Sequence, residues 1–344
     1  MKSALLALVA LGLVSACSST TGSNGGGGGM AGFGGDAATG GGGGGGITID
    51  AGDASAPGAQ VVYAHTDTTL FSLDPKATTL SLKQLGDFDC IGGTGIDTSM
   101  TDVAVDKDGN LWGISASAVM PLAVVNKSVH CGTPIVLSKS DSVRFYALTF
   151  APVGVLDASK EVLVAGNTAG ELWAIDSQGG LTLLGNFGTV PSNDGNGHTF
   201  QYPGTKWELS GDVVFLANGG NPVGFATVRD CQNPPSDQNC SDDDTLIEID
   251  VPKLSTKIGG AVTKAVRGKI VKRAGCTDDV AGSYDNMYGI GAWGEKVYGF
   301  SRAGYLVDVD LVDGSGCLVK QYNGAKFSGA GVTTIAPIVP PPPK

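Results

Sequence analysis

The sequence predicts an all-β fold: a ring of about five four-stranded units, one of them assembled from both ends of the folded region. Three observations predict it. Helical periodicity is nearly absent, and short runs of β-branched and aromatic residues are separated instead by Gly, Asp, Asn and Pro turns. The runs recur as a four-strand unit at intervals of roughly 50 to 75 residues, within or above the usual length of a propeller blade. The units at the two ends are incomplete in complementary ways, so joining them closes the ring and removes the edges an open array would expose.

In chain order, the first fragment offers Val61 to His65, Thr69 to Asp74 and Leu80 to Leu85, without a leading strand. The next unit holds Met100 to Asp106, the turn Lys107-Asp108-Gly109, Asn110 to Ser115, Leu122 to Asn126 and Thr133 to Leu137. A third runs through Phe145 to Phe150, Glu161 to Gly166, Glu171 to Asp176 and Leu181 to Gly185. A fourth has Lys206 to Leu209 and Asp212 to Ala217, then a cysteine loop, Thr245 to Asp250 and an outer strand over Lys264 to Val271. The fifth holds Met287 to Gly291, Lys296 to Phe300, Tyr305 to Asp310 and Cys317 to Gln321. Gly331 to Ala336 is a leading strand with nothing after it, the piece the first fragment lacks.

Outside this region the composition changes. Met1-Lys2 supplies positive charge, Ala4 to Val14 is an apolar run too short to span a bilayer, and Val14-Ser15-Ala16 precedes Cys17. That layout is a secretory signal peptide. With cysteine directly after the small residues it resembles the lipobox of bacterial lipoproteins. The resemblance implies cleavage before Cys17 and acylation of that residue, each buried methylene contributing about 0.8 kcal/mol of membrane affinity. Ser18 and Ser19, with no aspartate just after the cysteine, resemble the pattern of outer-membrane delivery. The stretch that follows is dominated by glycine, with runs at Gly25 to Gly29 and Gly41 to Gly46, and cannot bury enough surface to offset its ordering entropy. The expected organisation is a signal peptide over 1–16, a lipidated cysteine and disordered linker over 17–58, the propeller over 59–338 and a proline-rich, solvated tail over 339–344.

The repeat itself carries a second resemblance. Val103-Ala-Val-Asp106-Lys-Asp108-Gly-Asn110-Leu-Trp112 is similar to the repeat of NHL and related propellers. Thr69 to Asp74 and Glu171 to Asp176 look like the third-strand motif common across propellers. This implies architecture and no single activity, because propellers host binders, lyases, hydrolases and quinoproteins.

Seven cysteines become six once Cys17 carries lipid. An even remainder in an exported chain reads as disulfides, with fifteen complete pairings possible. Proximity along the chain favours Cys231 with Cys240, Cys90 with Cys131 and Cys276 with Cys317. No C-x-x-C occurs, which argues against zinc.

Candidate chemistry is thin. Asp106-Lys-Asp108-Gly-Asn110 has its glycine too early for a calcium loop and fits a tight hairpin. Asp74, Asp176, Asp250 and Asp310 recur at the ends of third strands, with Asn126 in the remaining unit, which is turn chemistry. His65, His130 and His198 are the only histidines. His65 reads as packed in its strand, and a nucleophilic triad has no visible partner set. Trp112 and Trp173 read as packing between blades, whereas Trp293 is the tryptophan expected to be exposed. A net charge of −11 argues against nucleic acid and anionic membrane surfaces. The densest basic patch, Arg267-Gly268-Lys269 with Lys272-Arg273, reads as a solvated edge.

The expected function is a non-catalytic binding or scaffolding propeller, lipid-anchored at the bacterial cell envelope in the outer membrane. Its expected partners are the membrane, through the lipid, and an unidentified protein or glycan, with no cofactor. The alternatives are a propeller lyase or hydrolase acting on polysaccharide or lactone, or a component of outer-membrane assembly.

Overall fold

The computed structural model describes residues 61–92, 97–138, 144–235, 239–255, 259–284 and 286–344. Cys17, the signal peptide and the glycine-rich linker lie outside the described residues. Within them, strands β1 (Val62–Thr66), β2 (Thr69–Leu73) and β3 (Leu82–Phe88) form most of the first blade. The second has β4 (Asp102–Val105), β5 (Leu111–Ile114), β6 (Ala118–Val125), β7 (Ser128–Cys131) and the two-residue β8 (Ile135–Val136). The third runs β9 (Phe145–Ala151), β10 (Val162–Asn167), β11 (Glu171–Ile175) and β12 (Leu181–Asn186). The fourth has β13 (Trp207–Leu216), β14 (Val223–Asp230), β15 (Thr245–Ile249), the short β16 (Gly260–Ala261) and β17 (Thr263–Lys269). The fifth has β18 (Met287–Trp293), β19 (Lys296–Ser301), β20 (Tyr305–Asp310) and β21 (Gly316–Gln321).

Strand β22 (Phe327–Val332) then pairs antiparallel with β1, Val62 opposite Val332 and Tyr63 opposite Gly331, and completes the first blade as its innermost strand. The order β22-β1-β2-β3 is the shared closing blade, so the fold is a five-bladed β-propeller. Inner strands β22, β4, β9, β13 and β18 pack on one another around the centre. Four buried clusters fill the layers between neighbouring blades, and Trp112 and Trp173 pack against the one between the second and third. The core is therefore a ring of inter-blade layers.

Outer edges are tied as well. β3 pairs in parallel with β7, β12 pairs in parallel with β16, and Lys272 bridges Gly316, each linking consecutive blades. Tyr322 Oη accepts from Leu82 N–H and donates to the Leu80 carbonyl, joining the fifth blade to the first. These ties leave few unpaired strand groups to template association. Two disulfides reinforce the same level. Cys90–Cys131 and Cys276–Cys317 each tie the connection entering a blade to that blade's outermost strand, and both span 41 residues. Cys231–Cys240 closes the β14–β15 loop.

Three expected elements differ. Thr133 to Leu137 yields only β8; the outer position belongs to β7, reached through a turn in which Asn126 and Lys127 both have positive φ. Lys206 to Ala217 is one strand with a register shift between Leu209 and Val213, and the second strand of that blade is β14. The closing strand begins at Phe327 rather than Gly331, where Ser-Gly-Ala-Gly gives a weak strand pattern. The proline tail is largely exposed and is pinned at a few points: Gly294 N–H donates to the Pro337 carbonyl, Val339 N–H to the Gly294 carbonyl, and Arg267 Nη1 to the Pro342 carbonyl.

Candidate functional site

The chemistry-bearing residues that the ring brings together lie at its centre. β4 opens with Asp102, and β13 carries Asp212 at its register shift; both are fully buried. Asp102 Oδ2 accepts from Leu148 N–H on β9 at 2.5 Å. Asp212 accepts from Ile290 N–H on β18 at 2.8 Å, from Val213 N–H at 2.5 Å, and from Ala330 N–H on β22. The two carboxyls also hydrogen-bond to each other. Two carboxylates in a dry site cannot both ionise without a large penalty, so the pair holds a proton between them. Burial pushes Asp102 well above the usual carboxylate range, with the Asp212 charge adding to it, and burial pushes Asp212 up to about 7.

His65 on β1 sits beside this pair, its Nε2 3.7 Å from Asp102 Oδ1, with both side chains at 0% exposure. Its Nδ1 donates to the Thr66 carbonyl at 2.8 Å, which leaves Nε2 as the lone-pair nitrogen. Neither Nε2 nor Asp102 Oδ1 meets a donor. Burial lowers the His65 pKa to about 4, so the ring is neutral at physiological pH. Gly329 on β22 makes the arrangement possible, because a Cβ there would run into both Asp102 Oδ1 and His65 Nε2. Chemically, the cluster is a buried proton-holding dyad next to a neutral imidazole; the other carboxyl oxygens accept backbone amides, while Asp102 Oδ1 and His65 Nε2 face each other without a donor.

The histidines do not converge. His130 pairs with Asp89 at 2.6 Å on β7, and His198 pairs with Asp194 at 2.8 Å in the loop before β13. Asp106 Oδ1 accepts from the N–H groups of Asp108 and Asn110, as a hairpin turn requires. Asp74, Asp176 and Asp310 likewise accept backbone N–H groups two residues on. Among the described residues, the two places where three metal-donor side chains gather both contain a disulfide, Cys90–Cys131 or Cys231–Cys240, whose sulfurs offer no thiolate. Trp293 is 8% exposed and packed in the core, with the Lys76 ammonium over its ring, correcting the expectation of exposure.

The basic patch is corrected too. Arg267 is 1% exposed and pairs with Glu248, Lys269 pairs with Asp243, Lys272 with Asp278 and Arg273 with Asp310. A shallow groove of about 530 Å³ runs along β21 beside Cys276–Cys317, lined by Thr277, Asp278, Val319 and Gln321 among others. Sequence reading missed Asp102 and Asp212 as a pair. Each looks like an ordinary polar strand position, and only closure of the ring brings them together.

No family model matches the chain, and no curated protein matches it. Solved structures similar to it include a protein of unknown function from Bacteroides caccae, with TM-score 0.35, 10% identity, and coverage of 80% of this chain and 98% of that one. The Dos1 propeller gives TM-score 0.36, 12% identity, and coverage of 80% and 70%. BBS1N in complex with ARL6DN gives TM-score 0.32, 9% identity, and coverage of 74% and 66%. The assignment to the propellers rests on the strand order and the β1–β22 closure.

Proposed function

We propose that the chain is a cell-envelope lipoprotein, anchored through Cys17, that displays a non-catalytic propeller for binding or scaffolding. The lipobox-like segment and the glycine linker support the address. The observation that carries the non-catalytic role is the state of Asp102, Asp212 and His65. All three side chains are fully buried, and the two carboxyls are held by backbone amides, where a substrate does not reach them. General acid–base catalysis needs such groups within hydrogen-bond reach of substrate.

Ring geometry also suits display. β1 begins beside the end of β22, so the described chain enters the ring at that face. The opposite face carries the connection 187–206 with the described segments 231–235, 239–244 and 270–284, and is offered to a ligand. The NHL-like repeat belongs to this reading as a likeness of architecture.

Two measurements test it. Palmitate labelling of cells expressing the chain should give a labelled, membrane-associated protein, and Cys17→Ser should abolish both; an unlabelled parent chain overturns the anchor. A glycan, lactone and peptide turnover panel should be blank, while a thermal-shift ligand screen returns a binder. Turnover that is abolished by Asp212→Asn overturns the non-catalytic role.

A further inference from the structure

The proline-rich tail, though largely exposed, makes directed contacts along the edge where the fourth and fifth blades meet. After the Gly294 bridge, the segment Pro340–Lys344 crosses to the edge of β17. There the buried Arg267 donates Nη2 to Glu248 and Nη1 to the Pro342 carbonyl at 2.9 Å. The Lys344 ammonium then donates to three backbone carbonyls, those of Asp194 at 2.7 Å, Val266 at 2.9 Å and Arg267 at 2.5 Å. The carboxylates of Asp194 and Asp313 face that ammonium, against the opposing Arg267 charge.

Several features shape the nest. Asn196 Nδ2 donates to the Arg267 and Asp313 carbonyls and so holds the two blades' backbones in place. Gly268, at positive φ, lets the Asp313 carbonyl approach where a Cβ would collide with it. Prolines suit the approach, because they present carbonyls without N–H groups that need partners, and their fixed φ lowers the entropy of binding. A carbonyl nest that takes three hydrogens from one nitrogen matches a primary ammonium, which has three donors.

We propose that this edge is a binding site for a proline-rich peptide segment followed by a lysine, and that residues 340–344 occupy it in cis. Recognition combines the Arg267 donor, which reads a proline carbonyl, with the carbonyl nest of Asp194, Val266 and Arg267, which reads the ammonium. A tethered tail acts at an effective concentration of order millimolar, so a segment from another polypeptide competes poorly until the tail is released. This goes beyond the binding role above, and its failure would leave the lipid anchor untouched.

The experiment compares the chain with a form lacking residues 340–344, by fluorescence anisotropy with a labelled Val-Pro-Pro-Pro-Pro-Lys peptide. The shortened form should bind saturably, and the parent at least tenfold more weakly. A peptide with glutamine in place of the lysine should lose at least tenfold. Lys344→Gln in the full-length chain provides the same test without deletion and should likewise admit the peptide. Nitrogen-15 spectra of the lysine ammonium groups should show Lys344 protected in the parent and released on adding excess peptide. Equal binding to parent and shortened forms, no saturable binding to either folded variant, or an unprotected Lys344 ammonium overturns the proposal.

Discussion

Asp102 and Asp212 hydrogen-bond to each other at the centre of the ring, and between them they reach all five inner strands. Asp102 stands on β4 and holds β9 through Leu148; Asp212 stands on β13 and holds β18 and β22 through Ile290 and Ala330. A propeller has no central layer of its own, and each inner strand packs mainly on its two neighbours. The acid pair supplies a cross-ring connection and accepts amides that would otherwise be buried without partners.

This arrangement makes stability depend on pH in two opposing ways. Asp212 is raised from 3.8 to about 7, so its contribution is complete below about pH 4 and is lost as pH rises towards 7. His65 is lowered from 6.5 to about 4, so its contribution is complete above about pH 6.5 and is lost as pH falls towards 4. At 1.36 kcal/mol per unit the two are worth about 4 and about 3 kcal/mol, and Asp102, also raised by burial, acts in the same direction as Asp212. Asp212→Asn removes the first, together with the charge that adds to the burial-driven rise of Asp102. Urea unfolding from about pH 4 to about pH 7 should show the variant gaining stability relative to the parent as pH rises; parallel curves would contradict the shared proton.

Gly329→Ala places a methyl against Asp102 Oδ1 and His65 Nε2, both on rigid strands. Overpacking of this kind costs about 1–3 kcal/mol. The thermal midpoint should fall accordingly, and an unchanged midpoint would mean that the centre is looser than these contacts allow.

The disulfides should rank by loop length. Chain-entropy reasoning assigns about 4 kcal/mol to each 41-residue closure and about 3 kcal/mol to the 9-residue one. Paired serine substitutions at Cys90/Cys131 and at Cys276/Cys317 should therefore lower the urea midpoint by similar amounts, and Cys231/Cys240 by less. A reversed order would show that denatured-state entropy is not what these bridges act on.

Much of this fold was legible in the sequence because local chemistry and global closure agree. The Asp106 turn, the third-strand aspartates and the complementary end fragments each point to blades. β7 was hidden because its hairpin turn puts Asn126 and Lys127 at positive φ without the glycine that usually announces such a turn. β14, with Gly, Ala, Thr and Arg interrupting its apolar residues, is a strand by virtue of its two partners. The pinned tail and the buried Arg267 were illegible for a related reason. An extended run of basic residues looks solvated until Glu248, Asp243, Asp278 and Asp310 arrive from other strands and loops.

The central claim is that one carboxyl pair ties the inner ring together, and amide hydrogen exchange tests it most directly. In the parent chain, Leu148, Ile290 and Ala330 should be strongly protected. Asp212→Ala should lower protection at Ile290 and Ala330 directly, and at Leu148 through the freed Asp102. A loss of protection confined to Val213 and its immediate neighbours would contradict the account.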